Sequence, residues 1–187
     1  SRFETETLAT EENIGALAAI NGAWVGKAMR TTKAKKIILD MDSSESPVHG
    51  SQEGSAYNGH FCSRCYHPLF VFNQYDDCEG AHLRPGNVHP ADGWRDLLES
   101  IVDRYRAAGK KLYFGADAAF ASPDLYEYLG ENRILYAIRI KANNRLYECV
   151  DHLMVRPVGR PSRKPKVIFH DFSYRAGTWE RSRRVIA

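Results

Sequence analysis

No run of the 187 residues stays apolar over the eighteen or more positions that a membrane-spanning helix needs. The chain also opens without a signal-peptide pattern, so a cytoplasmic setting and no membrane partner are expected. Cysteine is scarce. Cys62, Cys65, Cys78 and Cys149 are too few to staple a chain of this length, which argues against a secreted disulfide scaffold. A P-loop, a glycine-rich dinucleotide fingerprint and a nucleophile elbow are all missing. A large excess of one sign of charge is absent, since 26 Lys and Arg face 23 Asp and Glu for a net +3. That balance is compatible with a nucleic-acid partner without requiring one.

What is present suffices for a core: 43% of the chain is hydrophobic and 11% aromatic, in the length of one ordinary domain. Residues 1–30 read as a helical segment, with Thr10 as N-cap ahead of Glu11 and Glu12, and with Gly22 and Gly26 weakening its continuation. Lys36 to Met41 is a short apolar strand. "SAYNGHFCSRCYHPLFVFNQ" supplies one or two more strands, and "CEGAHLR" a third ending at Arg84. Trp94, Leu97, Leu98, Ile101, Val102 and Tyr105 recur at helical spacing within a helix over 91–108 that Gly109 stops. A strand "KKLYFGAD", a helix opened by Ser122 and Pro123, and a strand "ILYAIRIK" follow. Hairpin strands first and crossovers later imply an α/β domain with a mixed sheet flanked by helices over 31–187, carrying a basic β/loop segment at 151–176.

The chemistry lies in the acids. Asp40 and Asp42 end the first strand and, two residues apart, point to one face. Asp117 ends the strand "LYFGAD". If that strand runs parallel beside the first, all three acids reach the edge where open α/β sheets place ligands. Clustered carboxylates repel, and a hard cation such as Mg²⁺ or Mn²⁺ compensates them. The plainer alternative is that these aspartates cap turns and the start of the following segment.

The run "LDMDSSESPVHGSQEGSAYNGHFCSRCYHPLFVF" resembles the opening of the catalytic domain in DDE-type insertion-sequence transposases, DDE domain group one. "HLRPGN", "LYFGADAAFASPDLYEYLGEN", "YAIRIKANNRL" and "TWERSRRVIA" resemble its later blocks in the same order, over nearly the whole chain. The resemblance implies a ribonuclease H-like fold and metal-dependent cleavage and strand transfer of DNA, with transposon ends and target as partners and a homodimer assembled on them. Asp42 matches the first catalytic position, because the pattern places a hydroxyl residue two further on, here Ser44 in place of the usual Thr. Asp40 stands beside it as a further metal ligand, and Asp117 matches the second position. The third acid, a Glu, has no match. Glu180 lies upstream of its place, so that Glu is expected beyond Ala187 and the fragment is expected to be inactive alone.

A different function class competes. Cys62, Cys65, Cys78 and His82 give C-x2-C-x12-C-x3-H, a spacing suited to zinc in a non-catalytic nucleic-acid-binding module. Against it, the intervening residues read as a strand. For DNA contact the candidates are Lys141, Asn143 and Arg145, read as a polar strand exit, and Arg160, Arg163 and Lys164 in the basic loop.

Overall fold

The computed structural model describes residues 2–155, 158–160 and 164–187. They fall into two units, 1–139 and 140–187.

The first unit opens with a π-helical turn, Phe3–Leu8, and helix α1, Glu11–Thr31. Thr10 is the N-cap, its hydroxyl accepting from Asn13 N at 3.4 Å. Gly22 and Gly26 do not end this helix as their propensity suggests. Gly22 lies against the Arg104 guanidinium, where any Cβ would collide, so tertiary packing overrides the local cost.

Strand β1 (Lys36–Ser43) shows why the two aspartates are tolerated. Ile37, Leu39 and Met41 are fully buried, while Lys36, Ile38, Asp40 and Asp42 are exposed on the other face. Next come three short strands, β2 (Ser46–Pro47), β3 (Ala56–Asn58) and β4 (Ser63–Tyr66), which form a separate small sheet in the order β2-β4-β3. Strands of two to four residues carry too little alternation to be read from sequence.

Strands β5 (Leu69–Asn73) and β6 (Cys78–His82) return as a hairpin; helix α2 (Trp94–Ala107), strand β7 (Lys111–Ala116), helix α3 (Pro123–Glu131) and strand β8 (Leu135–Ile138) follow. The five long strands order as β6-β5-β1-β7-β8. β5 is antiparallel to β1 and to β6, whereas β7 is parallel to β1 and to β8. This central first strand, hairpin on one side and parallel crossovers on the other, is the ribonuclease H-like mixed sheet. Helix α2 starts at Trp94 rather than Ala91, because Gly93 takes a left-handed conformation (φ 71°) against the His82 ring.

One sheet face is buried. Ile37, Leu39, Met41, Leu69, Val71 and Phe114 pack with Leu98, Ile101 and Val102 of α2, Met29 of α1 and Leu125 and Leu129 of α3. Two buried polar joints brace this core. Glu79 of β6 accepts from Arg104, Tyr105 and Asn73, the last at 2.7 Å. Arg84, 5% exposed, donates to carbonyls, with the Asp92 charge nearby: its Nε donates to His67 O at 2.8 Å and its Nη1 to His89 O, Pro90 O and Asp92 O. This arginine ties the small sheet to the loop before α2.

Gly86 is wedged into that small sheet. A Cβ there would lie 2.5 Å from Cys65 O and 2.6 Å from Ala56 O, both backbone atoms that cannot rotate away. Gly86→Ala is expected to destabilise the protein by about 2–4 kcal/mol. A urea unfolding midpoint equal to the parent's would refute this.

In the second unit, helix α4 (Asn144–Val150) leads into a 3-10 turn, Asp151–Leu153, and strands β9 (Asp171–Tyr174) and β10 (Arg183–Ile186) pair antiparallel. The polar strand exit expected at 141–145 is instead a helix start. Asn143 is its N-cap, Oδ1 accepting from Leu146 N at 3.0 Å. The basic loop at 151–176 is accordingly preceded by helix rather than by strand.

Candidate active site

The parallel register pairs Ile38 with Tyr113, Asp40 with Gly115 and Met41 with Ala116, so one residue further sets Asp42 level with Asp117. Asp117 keeps an extended backbone (φ −78°, ψ −175°), which continues the alternation of β7 beyond its last paired residue. Tyr113, Gly115 and Asp117 therefore share the unburied face with Asp40 and Asp42. On the other side of β1, Asp42 pairs with Phe70 and Asp40 with Phe72. Asp40 and Asp42 at the end of β1 and Asp117 just past β7 thus lie toward the same end of the sheet.

Each of two carboxylates is oriented by its own backbone. Asp42 Oδ1 accepts from Ser43 N at 2.8 Å, and Asp117 Oδ1 accepts from Ala119 N at 2.9 Å. Asp117 thereby caps the 3-10 turn Ala118–Phe120, as the plainer sequence reading has it. Capping occupies one oxygen and leaves the other for a ligand, so the two roles do not exclude each other.

Asp40 is an exposed residue, yet its Oδ1 lies low over β7: a Cβ on Gly115 would stand 3.4 Å from it. That is the limit of ordinary van der Waals contact, so the glycine is not what admits the carboxylate. Burial pushes the Asp40 carboxyl above its ordinary range, and the charge of Asp42 pushes it further. An acid so raised gives up its proton later in the folded chain than in the unfolded one. Stability therefore falls as pH rises from the ordinary value of 3.8 through the raised one. Asp40→Asn is expected to flatten that slope and to raise the melting temperature at pH 7. Melts from pH 3.5 to pH 7 check this, and an unchanged slope would reject it.

Hard, like-charged carboxylate oxygens that repel one another fit a divalent cation. Mg²⁺ is commonly bound through one or two carboxylates, with water and substrate phosphate completing its shell. Among the described residues no group of three or more His, Cys, Asp or Glu could hold a metal ion. That holds for Asp40, Asp42 and Asp117 as it does for Cys62, Cys65, Cys78 and His82, so a cation at the aspartates would take most of its shell from water and substrate. Cys62 is exposed ahead of β4, Cys65 is buried within it, and Cys78 and His82 stand at opposite ends of β6.

The DNA-contact candidates belong to the second unit. Lys141, Asn143, Arg145, Arg160 and Lys164 are exposed there, and Arg163 lies outside the described residues. Among the described residues, no helix is long and apolar enough to cross a membrane.

A family profile described as Transposase DDE domain group 1 matches residues 1–187. Among solved structures, a piggyBac transposase synaptic complex with hairpin DNA is similar at 15% identity, covering 80% of this chain and 32% of that one, with a TM-score of 0.45. The Drosophila P element transposase strand transfer complex is similar at 12% identity, covering 63% of this chain and 29% of that one, with a TM-score of 0.31. The chain spans no more than about a third of either transposase. No relative is found among curated proteins.

Proposed function

The chain belongs to the transposase DDE domain group 1 family, and from that premise we propose that it is the part of an insertion-sequence transposase that cleaves DNA at transposon ends and transfers strands to a target. The observation that supports this reading is the parallel pairing of β1 with β7, which draws Asp42 and Asp117 to one sheet edge. Asp42 and Asp117 would hold Mg²⁺ or Mn²⁺, with Asp40 beside them. A divalent cation so bound polarises phosphoryl oxygens and makes water, or a DNA 3′-hydroxyl, a stronger nucleophile.

The chain's own contribution is positional. The Ser43 and Ala119 amides orient the two carboxylates. The third acid of the triad is left unassigned among residues 1–187. The working assembly is a homodimer on DNA, with Lys141, Asn143, Arg145, Arg160, Arg163 and Lys164 contributing phosphate contacts.

Cation binding tests the site without requiring turnover. Mn²⁺ at millimolar concentration is expected to raise the melting temperature of the parent chain, and the increase is expected to vanish in the Asp42→Asn variant. An equal increase in both would remove Asp42 from the site.

A further inference from the structure

The sheet is electrically polarised along its strands. Opposite the carboxylates, the amino ends of β1 and β7 meet in register at Lys36 and Lys111. Lys33 and Lys35 precede the first, Arg106 and Lys110 precede the second, and Arg133 precedes β8. Seven cations thus converge on one edge, with Glu131 the lone acid in the segments that supply them. Arg106, Lys110, Lys111 and Arg133 line a cleft of about 310 Å³ with Tyr113 and Asn132, and none of the cleft's lining residues is acidic.

The bland explanation is that these cations offset the negative ends of α2 and α3, which terminate here. It accounts for two of them. Arg106 donates to Asn132, and Lys110 Nζ donates to Ala34 O at 2.6 Å. Lys36 lies over the Tyr113 ring, 5.8 Å from its centroid. Among the described residues none of the seven forms an ion pair, whereas Arg95 and Arg104 in the same unit pair with Glu99 and Glu79. Lys33 and Arg133 also occupy left-handed backbone (φ 52° and 53°), where glycine or asparagine would fit with less strain. Arg106 and Lys110 aside, five positive charges without an ion pair among the described residues remain on one edge, and they call for a polyanion.

We propose that this edge is a second DNA surface, holding the phosphates of a duplex at the end of the sheet remote from the carboxylates. Lys36 and Asp42 are six residue steps apart along β1, about 20 Å at strand rise, so the two edges cannot serve the same phosphate. A duplex fits better than a small anion because the charges are spread across three segments. The inference rests on the proposed function only for the choice of DNA as polyanion. The carboxylate variants test that function separately.

The test is the salt dependence of binding to a random-sequence 25-bp duplex, comparing the parent with the triple variant Lys35→Gln, Lys111→Gln, Arg133→Gln. All three side chains are exposed, and a thermal melt confirms that the variant folds. Each lost phosphate contact is expected to lower the log–log salt slope by about 0.9 and to weaken binding roughly eightfold at 0.1 M salt. The Lys→Arg counterpart at positions 35 and 111 is expected to retain binding. An unchanged slope in a folded triple variant would overturn the proposal. So would tighter binding of polyglutamate than of the duplex, which would mark an acidic protein as the occupant.

Discussion

Asp117→Asn in the full-length protein is expected to abolish excision and strand transfer, by at least about a thousandfold, while leaving the fold and DNA affinity unchanged. The size follows from the several kcal/mol that metal-borne charge stabilisation supplies to phosphoryl transfer, at about 1.4 kcal/mol per tenfold in rate. The specificity of the test follows from the structure. Asp117 Oδ1 accepts from Ala119 N, and an asparagine carbonyl caps nearly as well as a carboxylate. The substitution therefore removes a charge and preserves a cap. Asp42→Asn has the same logic, since its contact with Ser43 N also survives. Transposition measured in cells, with a melt of the purified variant alongside, decides the matter; retained transposition would end the assignment of Asp117.

The largest stability effect is expected at Glu79. Its side chain is wholly buried and receives Arg104, Tyr105 and Asn73 at once. Burial, and then the bond to Glu79, push the Tyr105 phenol far above its usual range, which favours it as the donor in this bond. Glu79→Ala would strand a partly buried guanidinium and two neutral donors, at a cost of about 3–5 kcal/mol. For a chain of this size that corresponds to roughly 10 °C in melting temperature. Glu79→Leu combined with Arg104→Met is expected to lose much less, because no unpaired charge remains. A Glu79→Ala protein that melts with the parent would show that the network contributes nothing.

How much of this is legible in the sequence varies by element. Strand β1 announces itself: "KIILDMDS" alternates, and the structure buries its odd positions and exposes its even ones. Helix α2 is equally plain, since Leu98, Ile101, Val102 and Tyr105 recur at helical steps and all are buried. The parallel pairing of β1 with β7 was conditional in the sequence, because strand order depends on contacts between distant residues. It is what aligns Asp42 with Asp117.

The misses share a cause. Gly22 lowers helix propensity locally, but the Arg104 side chain that occupies its space lies 82 positions away in the chain. The small sheet depends on Gly86 fitting between β3 and β4, and the polar residues Lys141 to Arg145 read as a strand exit, although Asn143 caps the start of a helix. The zinc spacing of Cys62, Cys65, Cys78 and His82 was numerically sound, and the strands that hold these residues keep them apart.

The carbonyl cage around Arg84 sets an order for failure in acid. A carboxylate partner is lost once it is protonated, whereas backbone carbonyls do not titrate at any pH the protein meets. Arg84 itself stays charged: burial lowers its pKa, but from a starting value of 12.5. Buried within its cage, the joint is also poorly screened by added ions. Acid that weakens ion pairs elsewhere therefore leaves the small sheet tied to the loop before α2 by bonds whose acceptors do not titrate.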